Sequence, residues 1–393
     1  MTQHLMSNYG RYPIAFERGA GTRLYDEAGN EYIDFTSGIA VTNLGHCHPN
    51  VTRAIQEQAA TLVHTSNLFQ IRKQEEVAAK LAKLSGLDQA FFCNSGAEAN
   101  EAAIKLARKH SKEKYGEHKY EILTLEDAFH GRTLATVSAT PRLKFQEGFA
   151  PLVPGFRYVS KDLAEIEASI GAHTCAILLE AVQGEGGVLP LSPEFLQGIR
   201  ALCDQHGLLL ILDEVQTGIG RTGTMFAYQQ AGIQPDILTL AKALGNGIPV
   251  GATLAKADVA SAFQPGTHGS TFGGTPLVMA AVLATLDTIE SENLLDHATE
   301  MGVELGLRLQ GLIEQYDCLL ELRGLGLLRG VTLDRPVAPL VAKCQELGLL
   351  VLNAGEKTLR LLPPLNVSSQ DIHLAMKILE HAVQEITETI TNA

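Results

Sequence analysis

Between Glu75 and Ala280 short apolar runs alternate with helix-like segments, and this alternation constrains the fold more than any other feature of the chain. Strands alternating with helices imply an α/β architecture on a mostly parallel sheet. The expected strands are Ala90–Cys93, Glu121–Leu125, Cys175–Leu179, Leu208–Leu212, Ile237–Leu240 and Gly251–Leu254. The expected helices include Pro193–His206 and Glu98–His110, with Ala102, Ala103, Leu106 and Ala107 as the apolar residues of the latter. Leu277 to about Tyr316 reads as one long helical stretch. Beyond it, Leu319–Leu322, Leu327–Leu333, Leu349–Leu352 and Leu359–Leu362 are spaced as strands of a smaller α+β unit. Near the start, Thr22–Tyr25 and Glu31–Phe35 read as a hairpin around Asp26–Asn30. A chain of 393 residues suits two domains. The expected division is a large domain over 56–280 and a small one over 281–393, with the segment 1–55 packing on the small domain.

Bulk properties exclude several function classes. With 31 basic against 44 acidic residues the formal charge is −13, which disfavours a nucleic-acid or anionic-membrane surface. The six cysteines stand apart, none in a CxxC pair, and reduced thiols in the cytoplasm are expected. Met1 to Pro13 lacks the basic and apolar regions of a signal peptide, and the longest aliphatic run, Leu208–Leu212, is too short for a bilayer. Gly45-His46-Cys47-His48-Pro49 lacks a second ligand pair at zinc spacing, so a turn is expected there and no metal.

Ligands of open α/β sheets bind beyond the carboxyl ends of the strands, so the residues following each apolar run are the first candidates. Asp213 follows Leu208–Leu212; it is either a turn cap or a carboxylate facing a cationic ligand atom, and without a partner its burial costs several kcal/mol. Gly218-Ile219-Gly220-Arg221-Thr222-Gly223 matches GxGxxG, but no helix is expected at Gly218, and Asp236 precedes a strand instead of ending one. A dinucleotide fold is therefore rejected. Lys242 ends the run Ile237–Leu240 between alanines; it is either a solvated lysine or a desolvated amine with a depressed pKa, able to attack a carbonyl. Ser95-x-x-Glu98 fits a capping box, and the N–H groups of Gly96 and Ala97 equally fit an anion site at a helix N-terminus. Phe129-His130-Gly131-Arg132 is either packing with a surface ion pair, or a stacking ring with a carboxylate-binding guanidinium.

The order of these motifs is more specific than any one of them. Asn94-Ser95-Gly96-Ala97-Glu98-Ala99-Asn100-Glu101, Phe129-His130-Gly131-Arg132, Glu185-Gly186-Gly187, Asp213-Glu214-Val215-Gln216, Lys242 and Ser270-Thr271 together resemble the class III aminotransferases of the type I pyridoxal-phosphate fold. The resemblance runs essentially end to end, with Lys242 standing 29 residues after Asp213 and 28 before Ser270. It implies a large domain with a mostly parallel seven-stranded sheet, a smaller α+β domain, and pyridoxal 5'-phosphate as cofactor. Lys242 would hold the cofactor as a Schiff base and then serve as general base. Asp213 would pair with the ring nitrogen, Phe129 and Val215 would cover the two ring faces, and Gln216 would meet the ring hydroxyl. Ser95, Gly96 and Ala97 would hold the phosphate, joined by Thr271 from the partner subunit, which makes a homodimer necessary. Glu214 belongs to the same motif, although strand alternation turns its side chain away from Asp213 and leaves it a backbone contribution.

For the substrates, the resemblance implies Arg132, with Ser270 beside it, as the site of one carboxylate. Arg360 would receive the α-carboxylate of glutamate or 2-oxoglutarate, and Glu185 would cover Arg360 while the ω-amino donor is bound. Within the family the resemblance leans to members acting on N2-acetylornithine in arginine biosynthesis. Ornithine-specific members carry a tyrosine before Gly-His-Cys-His-Pro where this chain has Ile39, which cannot receive a free ammonium. Succinylornithine, 4-aminobutyrate and ornithine donors stay open, as does, further off, a glutamate-1-semialdehyde aminomutase. The Glu185/Arg360 pair disfavours the mutase, which has no second dicarboxylate to admit. A non-enzymatic scaffold is disfavoured because every chemical position is filled.

Overall fold

A computed structural model of the chain describes residues 4–391. Its central sheet has seven strands in the order Gln89–Cys93, Gly251–Ala255, Ile237–Leu240, Leu209–Asp213, Thr174–Leu179, Glu121–Leu125 and Phe156–Val159. Gly251–Ala255 runs antiparallel to both of its neighbours, and the other pairings are parallel. Every residue of Thr174–Leu179 and of Leu209–Asp213 is buried, as near-continuous aliphatic runs must be in a sheet covered on both faces. The helix Gly96–Tyr115 crosses Ile237–Leu240 and Gly251–Ala255 on a face of buried Ala99, Ala103, Ile104 and Ala107. Pro193–His206 starts on a Ser192 side-chain cap with Pro193 in the first turn, and ends on left-handed Gly207.

A second sheet joins the two ends of the chain. Phe16–Ala20, Arg23–Asp26 and Glu31–Asp34 form an antiparallel meander, and Leu349–Leu350 adds a fourth strand parallel to Glu31–Asp34. The turn of the expected hairpin is closed by Asp26 Oδ1, which accepts from the N–H groups of Ala28 (3.0 Å) and Asn30 (2.8 Å). The third sheet is antiparallel, in the order Leu319–Leu325, Leu328–Leu333, Thr358–Leu361, Leu352–Ala354.

Two expectations need correction. The stretch from Leu277 to Tyr316 is two helices, Pro276–Ser291 and Leu294–Gln315, broken where Asn293 takes a left-handed backbone at φ 51°. Asparagine adopts that conformation more easily than most residues. Leu349–Leu352 is split at Val351 between the second and third sheets. Phe16–Ala20 and Phe156–Val159 were not expected as strands; both lie at sheet edges with exposed positions, so neither shows a clear apolar pattern. Among the described residues no helix is long and apolar enough to cross a membrane.

Candidate active site

Parallel strands bring their carboxyl ends to one edge of the sheet, and a cavity of about 610 Å³ opens there. Ser95, Gly96, Ala97, Phe129 and Arg132 form part of its wall; Glu185, Asp213, Val215, Gln216 and Lys242 complete the set of expected residues that reach it. These ten come from loops spread over about 150 residues of chain.

Lys242 follows the strand Ile237–Leu240 and opens a short 3-10 turn with φ 45°. A left-handed backbone at a non-glycine residue is costly and is retained where surrounding structure imposes it. Burial draws its amine below the ordinary lysine pKa; Glu185, Asp213 and Glu180 oppose this while Arg360 adds to it.

Asp213 is buried, and each oxygen has a defined environment. Oδ2 accepts from Asn100 Nδ2 at 2.7 Å and faces His130 Nδ1 at 2.8 Å, while Oδ1 accepts from the Val215 N–H at 3.0 Å. Because a carboxylate only accepts, the bonded His130 nitrogen is the one that carries the proton. The other ring nitrogen, Nε2, is buried with no partner at the cavity wall.

Both readings of the Ser95 turn coexist. Ser95 Oγ accepts from the Glu98 N–H at 3.2 Å, and the Glu98 carboxylate returns to the Asn94 N–H at 2.7 Å. Capping engages the third helical N–H and leaves those of Gly96 and Ala97 outside the helical ladder, at the cavity. The loop tolerates no larger residue: a Cβ on Gly96 would lie 2.7 Å from Val215 Cγ1, and one on Gly251 2.4 Å from the Ser95 carbonyl oxygen.

At the mouth, the Arg132 guanidinium lies over the Phe145 ring (3.8 Å to its centroid) and near that of Phe129 (5.5 Å). Among the described residues it forms no ion pair, so its charge is available to a ligand. Deeper in, Arg360 is buried on the strand Thr358–Leu361, and its Nη1 meets Glu185 Oε1 at 2.6 Å and Gln216 Oε1 at 3.1 Å. Arg360 is not in the cavity wall, whereas Glu185 and Gln216 are. Burial works against ionisation of Glu185, but the charge and hydrogen bond of Arg360, with Lys242 and Gln216 behind them, hold its carboxyl below the ordinary value.

Three expected residues lie elsewhere on this chain. The Glu214 side chain points away from the cavity and accepts from the N–H groups of Ala227 and Tyr228, each at 2.8 Å. Ser270 is outside the cavity wall: its Oγ contacts Asn94 Nδ2 (3.2 Å) and accepts from the Gly273 N–H (3.0 Å). Thr271 is exposed and outside the wall of its own cavity. Ile39 is also exposed and outside it, within the left-handed turn Ser37–Ala40, while Val41 reaches the wall.

Several wall residues carry no expected role. Glu180 follows the strand Thr174–Leu179 directly, so the strand-end rule points to it. Burial pushes its carboxyl up to about 7, against the pull of His130, and it accepts from the Phe129 N–H at 3.0 Å. Asn100 is a polar residue among the alanines of a buried helix face, and a buried amide there demands partners. Tyr9 reaches the mouth from the N-terminal segment, with no signal in its own surroundings to mark it.

The donor set suits pyridoxal phosphate. It offers an amine, a carboxylate for a ring nitrogen, two apolar walls, a helix N-terminus for phosphate and an unpartnered buried His130 Nε2. Fold and site together define a pyridoxal-phosphate-dependent transferase. The chain belongs to the class-III aminotransferases, whose family model matches residues 5–383; these are pyridoxal-phosphate-dependent transaminases. It is 47% identical over 384 residues to the acetylornithine aminotransferase of Bacillus cereus, covering 98% of both chains. Among solved structures it superposes on the ornithine aminotransferase of Toxoplasma gondii with a TM-score of 0.95 at 32% identity, covering 98% of this chain and 94% of that one. The acetylornithine aminotransferase of Elizabethkingia anophelis gives a TM-score of 0.87 at 36% identity, covering 97% and 96%.

Proposed function

We propose that the chain moves the ω-amino group of N2-acetylornithine to 2-oxoglutarate, giving N-acetylglutamate 5-semialdehyde and glutamate. The observation carrying this reading is the Glu185–Arg360 pair, with Glu185 in the cavity wall and Arg360 buried behind it. With the pair closed, the inner site presents no net charge and suits a chain ending in an amine. With Glu185 withdrawn, it presents one cation and suits the second carboxylate of a dicarboxylate. Arg132 at the mouth serves the carboxylate common to both partners. The names of near-full-length relatives support acetylornithine as donor.

Bound pyridoxal phosphate supplies the electron sink for the transfer. Lys242 Nζ, whose pKa burial lowers, would take the proton from the carbon bearing the incoming amine and pass it on to the cofactor. Asp213, oriented by Asn100 and His130, holds a proton at the ring nitrogen. Gly96 and Ala97 N–H groups bind the phosphate, Phe129 and Val215 confine the ring, and Gln216 faces its hydroxyl.

A homodimer working in the cytoplasm is part of this proposal, with Thr271 completing the partner's phosphate site. Its loop adjoins a patch of exposed apolar residues, Leu62, Val63, Leu68, Phe69 and Phe272. The patch is contiguous, since Asn67 donates to the Ser270 carbonyl and His64 meets the Phe272 ring. An apolar surface of this kind marks an association site. In the proposed division, 56–280 forms the large domain, and 281–393 with 1–55 moves Arg360 relative to it.

The test is a panel of half-reactions on the cofactor-loaded enzyme. Acetylornithine is expected to convert the cofactor to its amine form faster than succinylornithine, ornithine or 4-aminobutyrate; a preference for 4-aminobutyrate refutes the reading. Arg360→Ala is expected to slow the 2-oxoglutarate half-reaction about a hundredfold more than the donor half-reaction, the loss of a desolvated charge pair.

A further inference from the structure

Gln216 occupies an unusual place beside the Glu185–Arg360 pair. Its Oε1 accepts from Arg360 Nη1 at 3.1 Å, and its Nε2 lies 3.5 Å from Glu185 Oε1. The orientation of the amide is unambiguous, because a guanidinium only donates and a carboxylate only accepts. Gly184 makes this placement possible: a Cβ there would fall 1.9 Å from Gln216 Oε1 and 2.6 Å from its Cδ. Arg360 is otherwise thinly supported. Its Nη2 reaches the Asn353 carbonyl at 3.5 Å, and its Nε is buried with no partner.

When Glu185 leaves, a buried guanidinium loses its counter-charge, and stranding it costs several kcal/mol unless another acceptor remains. The remaining acceptor must also be neutral. A second carboxylate would stay behind, cancel the charge of Arg360 and repel the incoming one.

We propose that Gln216, seated against Gly184, is a specificity-determining residue: the uncharged acceptor that keeps Arg360 aimed and cationic while Glu185 is away, so that one site admits a dicarboxylate after an amine donor. This role rests on reading Glu185 and Arg360 as an exchangeable pair. It is separate from any contact of Gln216 with the cofactor, because it acts on the charge offered to the second substrate.

The test measures binding of glutarate, a dicarboxylate that cannot react, to the cofactor-loaded enzyme by calorimetry, in wild type, Gln216→Glu, Gly184→Ala and Arg360→Ala. Gln216→Glu is expected to weaken glutarate about a hundredfold, as a like charge set against a buried ligand carboxylate does. Gly184→Ala, which touches neither substrate, is expected to weaken it about tenfold by displacing the amide. In both variants the ratio of KM for 2-oxoglutarate to KM for the donor rises in the same order. If both bind glutarate within about threefold of wild type while Arg360→Ala has lost it, this role is refuted and the exchangeable pair stands. If Arg360→Ala binds glutarate as wild type does, the pair reading falls and takes this proposal with it.

Discussion

Both amide protons of Asn100 are engaged, one on Asp213 Oδ2 and one on the His130 carbonyl, while its Oδ1 accepts from Thr239 Oγ1 at 2.7 Å. A neutral side chain thereby fixes the rotamer of a buried carboxylate and the backbone of the histidine that shares it. Asn100→Ala removes one hydrogen bond to a charged group, about 1.5 to 3 kcal/mol. If that energy is expressed in cofactor binding, affinity falls roughly ten- to hundredfold. Thr239→Val loses one neutral bond and is expected to weaken binding by less than about tenfold. Cofactor titration of the apoenzyme, followed by absorbance, checks the series; an unchanged dissociation constant for Asn100→Ala would show that Asp213 needs no such support.

Elements are steadied by the same kind of contact. The strand Leu209–Asp213 leads into Glu214, whose carboxylate accepts the first two N–H groups of the short helix Ala227–Ala231. Burial raises the Glu214 carboxyl from 4.5 to about 7, against the lowering effect of those two N–H groups. Between these values the folded chain keeps a proton that the unfolded chain has released, so this group makes stability fall as pH rises from about 4.5 to about 7. Glu214→Gln cannot ionise and is expected to flatten that part of the slope. Glu180, also raised to about 7, keeps some slope in place. Urea midpoints of the cofactor-free protein across pH 5 to 8 decide it, and parallel curves for wild type and variant would refute it. Legibility of the elements followed burial. Leu209–Asp213 announced itself as a continuous apolar run, whereas Phe156–Val159 carries exposed Arg157 and Tyr158 at a sheet edge and did not. The left-handed backbones at Asn293 and Ile39 were also out of reach, because sequence pattern records periodicity and not the sign of φ.

Across the whole molecule, local spacing located the strand-end residues but not what joins them. Glu185 and Arg360 are 175 residues apart, and their pairing was expected only through family resemblance. Ser270 and Thr271 lie off their own cavity; under the proposed homodimer, a position completed by another subunit would leave no trace in the geometry of one chain. Arg221, rejected along with its glycines as a nucleotide motif, proves to be the fastener between distant segments. It is fully buried, and its guanidinium donates to Asn43 Oδ1, to the Pro363 carbonyl and, at 3.2 Å, to the Leu327 carbonyl. Those acceptors belong to the N-terminal segment 1–55, to the segment leaving the Arg360 strand and to the turn of the Leu319–Leu333 hairpin. Burial lowers its pKa to about 9, with Asp34 opposing, so at neutral pH it stays a cation held mainly by neutral oxygens. A planar fork can serve three acceptors in different directions, and an ammonium on a flexible stem cannot. Arg221→Lys is therefore expected to behave much like Arg221→Met, each losing about 2 to 4 kcal/mol in urea unfolding as buried carbonyls go unpaired. Both are expected to raise KM for 2-oxoglutarate more than KM for the amine donor, because Pro363 follows Arg360 by three residues. Full rescue of stability by lysine would show that charge alone, and not the geometry of the fork, holds these segments together.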